Sequence, residues 1–324
     1  MHELKQKLIY VPVYILIIVT KGRKLKELIT RIIVAAIGIP LAILLFHTGG
    51  YVFFTVIAII SSLGLLEFYN LAHKNNFYPR KTEGVISGIL LLSLFFFLKF
   101  SNTFFWLFAL LVIFIIIIMI VEMFTNKPNS MGNIASTIMG ILYVSLAFAS
   151  ILGIRQFFEI QSIITQIQNP FTASTGKAIV PPMNSSACGW LVLSVFVSVW
   201  ICDSSAYFVG KSIGKHKLFP RVSPKKSWEG AVGGFFGAII GFYFATFFLI
   251  PELPALFPIV GGIIVGTVGQ IGDLAESLLK REAGVKDSSS LIPGHGGILD
   301  RFDSVIFAMP VFFVFLVLSV IFAF

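Results

Sequence analysis

Between residues 277 and 304 the chain reads SLLKREAGVKDSSSLIPGHGGILDRFDS, with four basic residues, four acidic residues, one histidine and four glycines in 28 positions. Carboxylates are hard oxygen ligands of the kind Mg2+ takes, commonly one or two at a time with substrate phosphates completing its shell. Lysine supplies point charges and arginine a rigid fork for phosphate oxygens. PGHGG exposes backbone N–H groups in a loop able to approach a phosphate closely. The chemistry such a set could do is polyphosphate chemistry. Just upstream, GQIGDLAESLLKR (269–281) places Asp273, Glu276, Ser277 and Lys280 at i, i+3, i+4 and i+7, which is one face of a helix. Asp300 and Asp303 follow the glycine loop, where either one alone would serve as an acidic residue in the first turn of a helix.

A second polar segment begins as CDSSAYFVGKSIGKHK (202–217), with Asp203 and Tyr207 one helical turn apart, and continues to SPKKSWEG (223–230), which contributes Lys225, Lys226 and Glu229. The string GKS at 210–212 matches the end of a Walker A motif, but Ser205 stands where that motif needs its first glycine, so a P-loop is excluded. His216 and His295 each lack a second His or Cys at ligand spacing and read as polar contacts. Cys188 and Cys202 form neither a CxxC pair nor a disulfide framework, so no zinc is expected.

The elements that must position these groups are membrane helices. The chain has 324 residues, 57% of them hydrophobic and 12% charged, with 35 phenylalanines, a composition outside that of soluble globular domains. At ~20 apolar residues per crossing, spans fall near 29–48, 51–72, 84–100, 103–124, 133–154, 187–209, 230–250, 256–279 and 302–324. The expected fold is an all-α polytopic bundle of about nine transmembrane helices without a soluble domain. The run at 8–20 is short and contains Pro12, which suits an interfacial segment. Residues 1–28 therefore form an N-terminal extension, and 29–324 a single transmembrane catalytic domain with 155–186 as an external loop insertion. This layout puts 21 of the 24 lysines and arginines on one side and Lys99, Arg155 and Lys177 on the other. By the positive-inside rule the rich side is cytoplasmic, and both polar segments lie on it. The net charge of +9 would suggest nucleic acid in a soluble protein; here it follows from topology, and no nucleic-acid partner is expected. A transporter or channel is the first rival, since nine spans with charges inside them also describe such proteins; against it, no internal repeat is evident and the polar groups concentrate at one face instead of the midplane.

Ser277, Lys280, Arg281, Lys286, Asp287, His295, Gly296, Gly297, Asp300, Arg301 and Asp303 match a long gapped signature, Ser-x-x-Lys-Arg, Lys-Asp, His-Gly-Gly, Asp-Arg-x-Asp. With DSSAYFVGKSIGK and SPKKSWEG, the region 203–304 resembles the phosphatidate cytidylyltransferases, also called CDP-diacylglycerol synthases. The resemblance implies a nucleotidyltransferase of phospholipid biosynthesis that turns CTP and phosphatidic acid into CDP-diacylglycerol and pyrophosphate. It also implies a multi-pass protein of a bacterial cytoplasmic-type cell membrane, in contact with membrane lipids and forming a homodimer. Asp273 and Asp300 carry over as its metal-binding pair for Mg2+, with K+ as a second cation. On this reading Asp303 orients or assists, and Lys280, Arg281 and Lys286 stabilise the reacting phosphates. Lys225, Lys226, Asp203, Ser277, Asp287, His295, Gly296, Gly297 and Arg301 bind substrate. A lipid-phosphate kinase is the rival enzyme; it would transfer a terminal phosphate and release no pyrophosphate.

Overall fold

The computed structural model describes residues 36–97, 100–158, 161, 183–292 and 296–321, with the side chains of 100–105 left aside. The expected interfacial segment at 8–20, most of the 155–186 loop and His295 lie outside the described residues. Among the described residues nine helices follow one another: α1 (Ala36–Thr48), α2 (Gly50–Lys74), α3 (Lys81–Phe97), α4 (Phe100–Met123), α5 (Ser130–Arg155), α6 (Ser185–Ile213), α7 (Trp228–Leu249), α8 (Leu256–Glu282) and α9 (Leu299–Ile321). An antiparallel hairpin, β1 (Lys217–Phe219) and β2 (Ser223–Ser227), sits between α6 and α7. The chain is a polytopic all-α membrane protein, because continuous helices keep every backbone polar group bonded within its own segment.

Seven of these helices, α2 and α4 to α9, are long and apolar enough to cross a bilayer, against nine expected spans. The difference lies in length. α3 has 17 residues, and the described part of α1 runs only from Ala36 to Thr48, whereas a crossing takes ~20 residues.

Polar side chains fix where several helices begin. Asn184 accepts the Ala187 N–H at 2.8 Å to start α6, and Ser227 accepts the Gly230 N–H at 3.2 Å to start α7. The core includes Leu191, Val192 and Val195 of α6 and Met309, Phe312 and Leu316 of α9, all buried, with the Phe312 ring packed on Phe242 and Phe257. Because lipid tails are as apolar as leucine, helices in a bilayer associate by close packing of small residues. α7 does this against α6: a Cβ added at Gly234 would lie 3.0 Å from the Ala206 Cβ and 3.1 Å from the Cys202 carbonyl oxygen. At the opposite end from the hairpin, buried Arg155 ties three helix ends together. It donates to the carbonyls of Phe46 (2.8 Å), Ser185 (2.8 Å) and His47 (3.0 Å).

α8 contains one wide π-helical turn, Val265–Gly269, directly before the acidic face. Such turns leave carbonyls without their regular partner. Here the Gln270 side-chain amide donates to Gly266 O at 2.6 Å and to Ala231 O at 3.0 Å, stitching α8 to α7 beside the candidate site.

Candidate active site

α8 remains helical through Glu282, as its spacing predicts, and buries Glu276, Ser277 and Lys280 on one face. The Lys280 ammonium forms ion pairs with Glu276, one turn away, and with Asp300 Oδ1 at 2.7 Å. Asp300 is the second residue of α9, with a side chain only 5% exposed. Its other oxygen, Oδ2, accepts the N–H groups of Ser288 and Gly297, both at 2.8 Å, and lies 3.0 Å from the Ser288 hydroxyl, whose single proton it shares with Glu67. The single aspartate therefore joins α8, the loop after it and the start of α9.

The glycines of the signature are explained by this loop. Gly296 takes φ +82°, a left-handed conformation that favours glycine, and its carbonyl accepts the Ile292 N–H at 2.8 Å. A Cβ there would also press on Asp300 Oδ2 at 2.6 Å. A Cβ at Gly297 would collide with the Ser288 hydroxyl and the Glu67 carboxylate.

Two cavities flank this junction. The first, about 430 Å³, is lined by Asp203, Tyr207 and Lys211 from α6, Lys225 and Lys226 from β2, and Gln270 and Asp273 from α8. The hairpin delivers its lysines here: β2 pairs with β1 in the register Lys217 to Ser227, and Glu229 accepts from the His216 backbone and lies 2.6 Å from its ring nitrogen. Lys226 then reaches Asp273 Oδ2 at 2.6 Å, a pair 31% and 24% exposed. The second cavity, about 520 Å³, carries Asp203, Asp300, Arg301 and Asp303 together with an apolar wall that includes Leu45, Phe46, Phe53, Ile57, Phe196 and Trp200. Asp203 belongs to both, and Asp273 lies within electrostatic reach of both Asp203 and Asp303.

Other members of the expected set lie elsewhere. Arg281 points away from both cavities and donates to the carbonyls of Val222 (3.3 Å) and Val285 (3.0 Å), tethering the hairpin loop. Lys286 and Asp287 are exposed on the loop after α8 and line neither cavity. Ser277 stays on α8, its hydroxyl 3.4 Å from Asp273 Oδ1. Gly210, Lys211 and Ser212 lie inside helix α6, not in a phosphate loop.

Glu67, in the middle of α2, is absent from the expected set. It is 4% exposed and accepts four hydrogen bonds from the signature loop. Ser289 Oγ (2.7 Å) and Ile298 N (2.9 Å) donate to Oε1, and Ser288 Oγ (2.8 Å) and Leu299 N (2.9 Å) to Oε2. Its signal in the sequence is an acidic residue in an otherwise apolar run, GLLEFYN, which in a membrane segment points to function.

The donor set suits a hard divalent cation. Asp273 and Asp300 each hold a lysine ammonium on one oxygen, so each already offers its negative charge to a cation. Among the described residues no three acidic, histidine or cysteine side chains converge to hold a metal by themselves. Mg2+ held by one or two carboxylates takes its remaining ligands from water and substrate phosphate.

Comparison with known proteins extends the likeness beyond residues 203–304. The cytidylyltransferase family model matches residues 29–319. A phosphatidate cytidylyltransferase of Synechocystis sp. is 32% identical over 289 residues, covering 89% of this chain and 96% of its own. Those of Haemophilus influenzae and Bacillus subtilis are 50% and 49% identical over 127 and 125 residues, covering 38% of this chain in each case and 44% and 45% of their own. The chain belongs to the cytidylyltransferase family, and it is a nucleotidyltransferase enzyme.

Proposed function

We propose that this enzyme is a phosphatidate cytidylyltransferase, which joins CTP to phosphatidic acid at the cytoplasmic face of a bacterial cell membrane and so supplies CDP-diacylglycerol for phospholipid biosynthesis. The observation that carries the reading is the meeting, at Asp203, of a cavity lined by three lysines and a cavity with a long apolar wall. The first suits a triphosphate. The second suits a molecule with a charged head and hydrocarbon tails. The cytoplasmic assignment rests on the excess of lysine and arginine that the nine-span layout read from the sequence puts on the side holding both polar segments.

In this reaction a phosphate oxygen of the lipid attacks the α-phosphorus of CTP; the new O–P bond forms as the bond to the β-phosphate oxygen breaks, and pyrophosphate leaves. The lipid phosphate is already an anion at neutral pH, so the step needs little base catalysis and the main obstacle is repulsion between two polyanions. Lys225 and Lys226 neutralise the triphosphate from the hairpin side. Arg301 meets the lipid phosphate at the polar end of the apolar groove, while Lys280 is held between Glu276 and Asp300 beside them. Asp203 and Asp303 line the groove's charged end, where Asp303 orients the incoming headgroup. A divalent cation such as Mg2+, bound by Asp273 and Asp300, would supply further charge neutralisation on the phosphate oxygens. K+ as a second cation and a homodimer belong to the same reading, tested by exchanging K+ for Na+ in the assay and by mass in detergent.

The decisive experiment measures pyrophosphate release by purified protein with phosphatidic acid and Mg2+, comparing CTP with ATP. Release with CTP alone, dependent on the lipid, supports the reading. Transfer of a terminal phosphate instead would make the protein a lipid kinase, and no release with either nucleotide from folded protein would refute the reading.

A further inference from the structure

We infer that Glu67 is a positioning residue of the reaction site, a clamp on α2 that holds the signature loop and, through it, Asp300 and Lys280. The inference rests on the functional reading above and deepens it. A carboxylate inside an apolar segment is costly unless it meets a partner, and Glu67 meets four donors, two on each oxygen. Two are the backbone N–H groups of Ile298 and Leu299, at the start of α9, where a negative charge also opposes the positive end of the helix dipole.

A cap of this kind would need only those two bonds. The other two donors give Glu67 a further role. Ser288 and Ser289 lie eleven and ten positions before Leu299, so the carboxylate ties the start of the loop to the start of α9. Ser288 is the joint between two carboxylates. Its hydroxyl reaches Glu67 Oε2 at 2.8 Å and Asp300 Oδ2 at 3.0 Å, and its N–H donates to the same Asp300 oxygen at 2.8 Å. Asp300 in turn holds Lys280 at 2.7 Å. One unbroken chain of bonded groups thus runs from α2, 221 residues away in sequence from Ser288, to the Lys280 ammonium on α8. The bare α-carbon of Gly297 belongs to the same arrangement, since any Cβ there would occupy the space of the Glu67 carboxylate.

Glu67→Gln keeps the shape and leaves one oxygen for four donors, two of which then face an amide N–H2. Two measurements on the full chain in detergent test the clamp. In amide hydrogen exchange without ligands, peptides covering 286–299 should exchange at least ~10-fold faster in Glu67→Gln, in line with the loss of charge-assisted hydrogen bonds. Peptides from the middle of α6 and from 305–316 should be unchanged. In pyrophosphate release, kcat should fall ~100-fold, the size expected from a small misplacement of reacting groups. KM for CTP should stay within about twofold, because the lysine-lined cavity is untouched, and the Mg2+ concentration for half-maximal rate should rise. Glu67→Asp, which keeps the charge, should recover part of the rate. Ser289→Ala, a milder change that leaves the carboxylate, should lower kcat about 10-fold and covers the case in which Glu67→Gln does not fold. Unchanged exchange at 286–299 with kcat within twofold of wild type would overturn the inference, as would faster exchange throughout the protein, which would make Glu67 a general fold residue. If the wild-type protein releases no pyrophosphate, the functional reading fails, while the exchange measurement still decides the clamp.

Discussion

Asp273 and Asp300 are both assigned to the metal, yet replacing each by asparagine should affect folding very differently. Asp300 is nearly inaccessible and accepts three hydrogen bonds of its own, one from a lysine that is itself only 10% exposed, besides the Ser288 hydroxyl it shares with Glu67. In Asp300→Asn the amide nitrogen must face either the Lys280 ammonium or the cluster of N–H and O–H donors, and Lys280 is left with Glu276 alone. Breaking a buried pair in this way costs about 3–5 kcal/mol. At roughly 2 °C per kcal/mol the melting midpoint should fall by roughly 6–10 °C. Asp273 pairs with Lys226 where both side chains are about a quarter to a third exposed, and such a pair contributes under about 1 kcal/mol. Asp273→Asn should therefore melt within about 2 °C of wild type. Both variants should lose pyrophosphate release. The assay is thermal unfolding of the two purified variants in one detergent, alongside turnover with CTP and phosphatidic acid. Equal melting shifts would refute the geometric argument about Asp300, and near-normal turnover in either variant would refute its assignment to the metal.

Three further outcomes follow from the cavities and the loop. Lys226→Ala removes a cation from the lysine-lined cavity and its partner from Asp273; KM for CTP should rise by about 10-fold or more, the scale of one charge-assisted contact, with the melting midpoint nearly unchanged. Ile60→Trp fills part of the apolar groove and should raise the apparent KM for the lipid in mixed micelles while leaving KM for CTP alone; the reverse pattern would exchange the two cavity assignments. Gly297→Ala should abolish turnover and destabilise the protein, because its Cβ collides with Ser288 and Glu67; a fully active alanine variant would show that the loop adopts another path.

What could be read in advance and what could not separates along sequence distance. The face of Asp273, Glu276, Ser277 and Lys280 was legible because a helix imposes its period on neighbours, and α8 has that face. Apolar runs marked most crossings for the same local reason. Periodicity says nothing, however, about which distant groups meet. Arg281 sits within the signature beside Lys280, yet one position along the helix turns it by about 100°, away from the site and onto the hairpin carbonyl of Val222. Lys226 gains its place only because β1 and β2 fold back over the end of α6, a pairing written in the alternation of neither short strand. Glu67 lies farthest from legibility, since its four partners come from a loop more than two hundred residues later. In a bilayer, though, an ionisable side chain in an apolar helix must find partners or be expelled. The unmatched acid in GLLEFYN therefore announced that a partner existed, and only the folded chain could say that the partner was the loop of the signature.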